Sequence, residues 1–158
     1  MKKNSWLTDE GSLTLLMEKC NQGPIDVHVN QAGFAPTQVE ERRWLNLKQR
    51  QWAFLREVEL YGKNQQLWLW ARTIIPKSTL RGRANRLKML KAKPLGPLLF
   101  KKLGAHRIFM ELEHKACHHP VSSQGQKLWH RRSLFLLSEG PLLVTEIFLP
   151  DNPVYEYY

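Results

Sequence analysis

Two charged side chains, Arg72 and Glu146, stand in stretches of the chain that otherwise consist of apolar residues. Alternate side chains of a β-strand share a face, so Arg72 would lie beside Trp68 and Trp70, and Glu146 beside Val144. The opposite faces of both stretches are also apolar, which predicts that both charges are buried. A buried ion without a partner costs several kcal/mol, so each needs a partner from the protein or from a bound ligand.

Two interpretations account for these charges. In the first they are structural, and Arg72 pairs with Glu146, or Glu146 pairs with Arg131 or Arg132 across its own hairpin. In the second they line a ligand pocket, where the planar guanidinium of Arg72 holds a carboxylate with two hydrogen bonds and Glu146 meets a hydroxyl. Periodicity alone favours neither interpretation.

A second cluster of reactive side chains occurs in the stretch "HKACHH", which carries His114, Cys117, His118 and His119. These residue types bind zinc, but their spacing matches no closed set of four ligands. A polar loop is the commoner explanation, and we expect no metal site.

The stretch "RGRANRLKMLKAK", residues 81–93, is strongly basic. Such a stretch is typical of a helix that binds nucleic acid or an anionic membrane surface, although a solvated helix face is the commoner explanation. Since it lacks aromatic residues that could stack on bases, we expect no nucleic-acid partner. Weak peripheral association with an anionic membrane is the alternative that we retain.

The composition describes a folded protein of one domain, residues 1–158. The chain is 42% hydrophobic, carries a formal net charge of +10 and has only two cysteines, which is typical of a protein in a reducing cytoplasm. It shows no signal-peptide core and no apolar run approaching the length of a membrane span.

Hydrophobic periodicity predicts the elements that position these residues. A helix is expected over Ser12–Cys20 behind the polar start "TDEGS", and two further short helices over residues 80–90 and 94–103. Six strands are expected in mostly hairpin order, within residues 24–34, 51–76 (two strands), 105–114 and 126–150 (two strands). The pattern indicates an α+β domain built on a six-stranded antiparallel sheet.

Four blocks of sequence resemble, in this order, the motifs of the bacterial chorismate pyruvate-lyase (chorismate lyase) family: "WLTDEGSLT", "ARTIIPKSTLRG", "PLGPLLF" and "LWHRRSLFLLSEGPLLVTEIFLPDNPVY". The resemblance implies a six-stranded antiparallel sheet with short helices that form lids over a buried ligand pocket. It implies conversion of chorismate to 4-hydroxybenzoate and pyruvate, the first committed step of ubiquinone biosynthesis, without metal or cofactor.

The resemblance also implies the roles of individual residues. Arg72 matches the arginine that binds the ring carboxylate, and Glu146 matches the glutamate that contacts the 4-hydroxyl. Two further contacts correspond to the backbone amides of Leu13 and Leu95, which stand at predicted helix starts where unpaired N–H groups favour an anion. Lids over an aromatic product predict tight product binding and turnover that is limited by product release.

The chain differs from the family pattern at its N-terminus, because family members usually carry a longer leader before the "WLTDEGSLT" block. The family resembles the effector-binding domains of certain bacterial transcription regulators, so a non-catalytic small-molecule sensor is the alternative function. For either function we expect a monomer.

Overall fold

The computed structural model describes residues 5–8 and 12–156, and six antiparallel strands form its framework. The strands are β1 (Asp26–Pro36), β2 (Trp52–Tyr61), β3 (Leu67–Pro76), β4 (His106–Ala116), β5 (Lys127–Leu137) and β6 (Gly140–Phe148). Their order in the sheet is β1-β2-β3-β6-β5-β4. The predicted α+β class with a six-stranded antiparallel sheet is confirmed.

Two pairs of neighbouring strands are joined by tight connections. β2 and β3 form the predicted hairpin through a 3-10 turn at Lys63–Gln65, and β5 and β6 form another through the turn at Ser138 and Glu139. Before the first of these turns, a Cβ atom on Gly62 would lie 2.1 Å from the ring of Trp68. A residue without a side chain is therefore required where the tryptophan covers the turn.

The long connection from β3 to β4 crosses one face of the sheet. It contains a 3-10 turn (Lys77–Thr79), a longer 3-10 segment (Gly82–Met89) and a π-helix (Pro97–Lys102), where the sequence predicted ordinary helices over 80–90 and 94–103. Gly82 has a positive φ of 55°, and Pro94 and Pro97 cannot donate backbone hydrogen bonds. These residues explain why no regular α-helix forms there.

The described chain also contains three α-helices, α1 (Ser5–Thr8), α2 (Leu13–Asn21) and α3 (Val39–Leu45), and it ends in a 3-10 turn (Pro153–Glu156). α2 is the predicted N-terminal helix shifted by one residue, and residues 9–11 of its predicted polar start lie outside the described residues. α1 and α3 were not predicted. No helix among the described residues is long and apolar enough to cross a membrane.

The sheet separates two layers of apolar packing. On the first face, α1 and α2 pack against Val58, Leu69 and Phe148, and the β3–β4 connection packs against Phe135 and Val144. On the second face, Leu45 of α3 packs against Leu55, Ile74 and Leu143. The face of the sheet on which a side chain lies therefore decides which of the two layers it can contact.

Candidate active site

An internal cavity lies on the first face of the sheet, between the strands and the segments that cover them. Its floor is formed by apolar side chains of β2, β3, β6 and β5, and its cover by residues 12–14 and 94–100. Among the described residues that line it, the charged side chains are Arg56, Arg107, Arg131 and Glu146. Three guanidinium groups and one carboxylate give the cavity an excess of positive charge, which suits an anionic ligand.

Glu146 enters the cavity from β6 and is paired with Arg131 of β5. Arg131 donates from Nε to Glu146 Oε2 at 2.6 Å and from its second terminal nitrogen to Oε1 at 3.0 Å. Both residues are buried: Glu146 is 8% exposed and Arg131 is 2% exposed. This bidentate bond confirms the first interpretation for Glu146, in which Arg131 is its partner across the hairpin, and it also places the carboxylate at the cavity wall.

The remaining terminal nitrogen of Arg131 points away from Glu146 towards α1. It donates to the backbone carbonyls of Trp6 and Leu7 at 3.4 and 3.2 Å. These carbonyls lie at the end of a short helix, where backbone acceptors lack helical partners. Arg131 is thus engaged through all three of its nitrogens and holds α1 against the sheet.

Arg56 of β2 is one of two cavity arginines, together with Arg107, that the sequence analysis did not single out. It is 4% exposed, and one terminal nitrogen donates to the carbonyls of Lys91 and Lys93 at 3.1 and 2.6 Å. Its buried Nε has no hydrogen-bond partner, and no carboxylate lies within salt-bridge distance among the described residues. Burial lowers the pKa of Arg56 to about 10, so the group remains charged at neutral pH.

A guanidinium in this setting needs an anion. Burying an ion is costly unless it is paired, and the two carbonyls supply hydrogen bonds but no negative charge. The unpaired Nε and the cavity beside it leave room for the carboxylate of a ligand.

The sequence contained a signal for Arg56 of the same kind that revealed Arg72. In the stretch "FLREVEL", alternation places Arg56 on one face with Phe54, Val58 and Leu60. Glu57 and Glu59 place charges on the other face, so the strand resembles an ordinary amphipathic strand with exposed charged residues. A buried arginine is therefore harder to recognise here than at Arg72, which follows two tryptophans in an apolar stretch.

Leu13 and Leu95, predicted to offer backbone amides, both line the cavity. Leu13 is the first residue of α2, so its N–H has no partner within the helix. Leu95 lies two residues before the π-helix that begins at Pro97. The structure thus brings Leu13, Leu95 and Glu146 to one cavity.

Arg72 is not among the described residues that line this cavity. Its Nε and one terminal nitrogen each donate at 2.9 Å to the carboxylate of Glu41 in α3, and its other terminal nitrogen lies 3.6 Å from Glu57. Glu41 also accepts from the backbone N–H of Gln38, which caps α3. Arg72 therefore fastens α3 to the second face of the sheet.

The register of the strands explains this separation. Glu146 pairs across the sheet with Ala71 and Arg131, whereas Arg72 pairs with Thr145. Since a shift of one residue moves a side chain to the opposite face, Arg72 and Glu146 point in opposite directions. The predicted carboxylate-binding role of Arg72 has no support in this geometry, and Arg72 and Glu146 do not form the alternative ion pair.

The "HKACHH" side chains have other neighbours. His114 stacks on Trp129, His119 contacts Trp70 and accepts from the backbone N–H of Val121, and His118 bonds Gln124. Among the described residues no group of three or more potential ligands is placed to hold a metal ion.

Comparison with known sequences identifies one family. The sequence model described as chorismate lyase matches residues 1–157. The chain is 40% identical over 153 residues to the chorismate pyruvate-lyase of Pectobacterium atrosepticum, covering 95% of this chain and 78% of that protein. It is 38% identical over 155 residues to the chorismate pyruvate-lyase of Proteus mirabilis, covering 96% and 83%.

Comparison with solved structures finds the same fold in transcription regulators. The regulator PhnF from Mycobacterium smegmatis superposes with a TM-score of 0.65 at 8% identity, covering 92% of this chain and 66% of that one. A regulator of the GntR family from Bacillus cereus superposes with a TM-score of 0.58 at 9% identity, covering 80% and 92%. At these identities the likeness concerns the fold alone.

Proposed function

Since the chain belongs to the chorismate lyase family, we propose that the cavity beneath residues 12–14 and 94–100 is the active site in which it converts chorismate to 4-hydroxybenzoate and pyruvate. The observation that carries this proposal is the buried guanidinium of Arg56, which has an unused donor, no carboxylate partner among the described residues and an apolar cavity beside it. The carboxylate of an aromatic or cyclohexadiene acid is the ligand that fits this group.

In this proposal Arg56 binds the ring carboxylate, in the role that the sequence suggested for Arg72. The amides of Leu13 and Leu95 assist it from the cover of the cavity. The walls between are apolar, including Val58, Ala71 and Val144, and match the ring in size and polarity.

Glu146 faces the hydroxyl group of the ring in the same proposal. Its two oxygens accept hydrogen bonds from Arg131, which fixes the plane of the carboxylate, and each oxygen keeps a further lone pair for the ligand hydroxyl. The ion pair thus provides an oriented acceptor at the end of the ring opposite its carboxylate.

The reaction breaks the bond between the ring and the ether oxygen of the enolpyruvyl group and removes, as a proton, the hydrogen of the ring carbon that carries the hydroxyl. The ring becomes aromatic, and the released enolpyruvate takes up one proton to become pyruvate. Because aromatisation supplies much of the driving force, the protein's task is mainly to orient the substrate and exclude water. The fixed arginines and the covered cavity suit that task. No step of this scheme requires a metal or an organic cofactor.

An assay with the purified protein and chorismate tests the proposal, with pyruvate release and the absorbance of 4-hydroxybenzoate as readouts. Arg56→Met removes the charged donors, and we expect kcat/KM to fall at least about a hundredfold, equal to roughly 3 kcal/mol. Near-normal turnover by folded Arg56→Met would contradict the assignment.

The matched control removes the arginine on the second face. Because Arg72→Met alone would leave Glu41 buried without its partner, the control variant combines Arg72→Met with Glu41→Gln. We expect this variant to lose stability but to keep kcat/KM within about threefold when assayed below its unfolding temperature. A loss as large as that of Arg56→Met would return the catalytic role to Arg72.

We further propose that the enzyme acts as a single-domain monomer in the cytoplasm, because one chain supplies the whole cavity described above. Weak association with an anionic membrane would use a basic groove on the outer side of the cover. The exposed Met89 lies in this groove, which is rimmed by cationic side chains: Arg86, Lys93, Lys101 and Lys102.

A further inference from the structure

One hydroxyl group in the wall of the cavity has no hydrogen-bond partner. Ser12 lines the cavity at the start of its cover, and its Oγ is buried without a partner among the described residues. A buried hydroxyl that forms no hydrogen bond has lost its interactions with water and gained none in return. A ligand that accepts the hydroxyl proton would supply the missing bond.

The local structure does not use this hydroxyl. Ser12 is the N-cap residue of α2, a position at which a serine side chain usually accepts from a backbone N–H of the first turn. Here the side chain makes no capping bond, although the carbonyl of Ser12 accepts from the N–H of Leu15 at 3.1 Å. The backbone of Ser12 therefore starts the helix, and its side chain is left for another contact.

The Ser12 side chain faces the second half of the cover. A Cβ atom on Gly96 would lie 2.4 Å from Ser12 Oγ, so this oxygen occupies the space that a larger residue at position 96 would fill. Leu13 and Leu95, whose amides are proposed to assist in binding the ring carboxylate, are chain neighbours of Ser12 and Gly96. The hydroxyl thus lies at the contact between the two segments that carry the proposed amide donors.

Arg56 reaches the same part of the cover from the sheet. One of its terminal nitrogens donates at 2.6 Å to the carbonyl of Lys93, three residues before Gly96. Three residues span at most about 10 Å, so the guanidinium and the Ser12 hydroxyl contact one short segment. The Nε of Arg56 is also buried without a partner. These two unused donors, one in the sheet and one in the cover, match the two oxygens of a carboxylate.

We propose that the Ser12 hydroxyl donates a hydrogen bond to the ring carboxylate bound at Arg56. The inference rests on the proposed function for the identity of the ligand. Because Ser12 belongs to the cover and Arg56 to the sheet, the carboxylate bridges the two layers and holds the cover closed.

Ser12→Ala tests the inference, because it removes the hydroxyl and adds no atom. We expect Kd for 4-hydroxybenzoate, measured by titration calorimetry, to rise by about tenfold to a hundredfold, since a hydrogen bond to a charged group is lost. The midpoint of urea denaturation of the ligand-free protein should stay the same or rise, because that protein loses only an unsatisfied polar atom. A purely structural role of the hydroxyl would lower the midpoint and leave Kd unchanged.

A second ligand identifies the end of the ring that Ser12 contacts. Benzoate carries the carboxylate and lacks the 4-hydroxyl, so Ser12→Ala should weaken benzoate and 4-hydroxybenzoate by a similar factor. The control is Ser123→Ala, which removes a hydroxyl from an exposed position outside the cavity. It should leave both dissociation constants unchanged.

Unchanged dissociation constants in Ser12→Ala, or weaker binding of 4-hydroxybenzoate alone, would overturn the inference. Its failure is distinguishable from that of the proposed function. A wild-type protein that releases pyruvate from chorismate, while Ser12→Ala keeps both constants, refutes the inference alone. A wild-type protein that binds both acids more tightly than Ser12→Ala but releases no pyruvate supports the inference and refutes the lyase assignment.

Discussion

The pairing of Glu146 with Arg131 determines what this acid can do. A single buried carboxylate in apolar strands would be expensive, but the bidentate guanidinium compensates its charge. The same arginine holds the carbonyls of Trp6 and Leu7. Glu146 therefore contributes both to the cavity wall and, through Arg131, to the attachment of α1.

Glu146→Gln is expected to cost stability as well as function. The substitution leaves the Arg131 cation buried without a counter-charge, so the free energy of unfolding should fall by about 3–5 kcal/mol, as measured by urea denaturation. The control is Glu113→Gln, which breaks an exposed ion pair with Lys115. It should change the free energy of unfolding very little. Equal losses of unfolding free energy in the two variants would show that the buried ion pair stabilises the fold no more than the exposed one.

Turnover by Glu146→Gln, measured where the variant is still folded, addresses its chemical role. An amide can still accept a hydrogen bond from the ring hydroxyl but cannot take up a proton at neutral pH. Substantial retained kcat would identify Glu146 as an orienting acceptor, whereas complete loss in a folded protein would indicate proton transfer.

At the level of elements, two segments meet to close the cavity. A Cβ atom on Gly96 would lie 2.4 Å from Ser12 Oγ and 3.2 Å from Ser12 Cβ. Ser12 precedes α2, and Gly96 precedes the π-helix. The absence of a side chain at residue 96 lets the two halves of the cover touch.

Gly96→Ala should therefore force the cover apart. Gly96 has helical backbone angles (φ −51°), so alanine strains the contact with Ser12 and not its own backbone. We expect dissociation of 4-hydroxybenzoate to accelerate severalfold in stopped-flow displacement, and kcat to rise where product release limits turnover. Gly23→Ala is the control because its Cβ would meet nothing within 4 Å. An unchanged dissociation rate would mean that the product leaves by another route.

The sequence predicted elements better than it predicted their internal geometry. Alternation located all six strands, and helical spacing located α2, because both patterns record burial directly. The segments after β3 were expected to be α-helices but contain 3-10 and π turns, since Gly82 and the prolines prevent regular hydrogen bonding. α3 went unnoticed because it is only seven residues long and begins after Gln38, which is not one of the residue types that usually signal a helix start.

At the level of the whole molecule, strand register decides the composition of the site. Period-2 reasoning identified Arg72 and Glu146 as exceptional, but the faces of two strands can be compared only when their register is known. Arg72 pairs across the sheet with Thr145, the residue before Glu146. Its side chain therefore lies on the opposite face of the sheet, where it contacts α3. Arg56, in a strand with a charged second face, was found only once the sheet was assembled.

The fold itself does not distinguish enzyme from sensor, since regulators with less than 10% identity share it. The distinction lies in the cavity side chains. Among the described residues that line the cavity, three arginines and one glutamate leave an excess of positive charge, which suits an anionic substrate.

Part of the positive charge of the molecule lies in a groove on its surface. The net charge is +10, and the groove on the outer side of the cover combines exposed apolar surface at Met89 with a basic rim. Pro94 lines both this groove and the cavity. A membrane bound at the groove would therefore lie directly against the cover.

Co-sedimentation with anionic phospholipid vesicles at low salt tests whether this groove binds membranes. Each lysine near an anionic surface contributes about 1 kcal/mol, so replacing Lys93, Lys101 and Lys102 by serine should weaken binding by about a hundredfold.

The control triple variant replaces three exposed lysines elsewhere by serine and loses the same net charge: Lys48, Lys115 and Lys127. It should retain most of the binding, because screening confines the attraction to groups near the lipid. Equal losses in the two triple variants would attribute binding to net charge, and wild-type protein that stays in the supernatant would exclude the association.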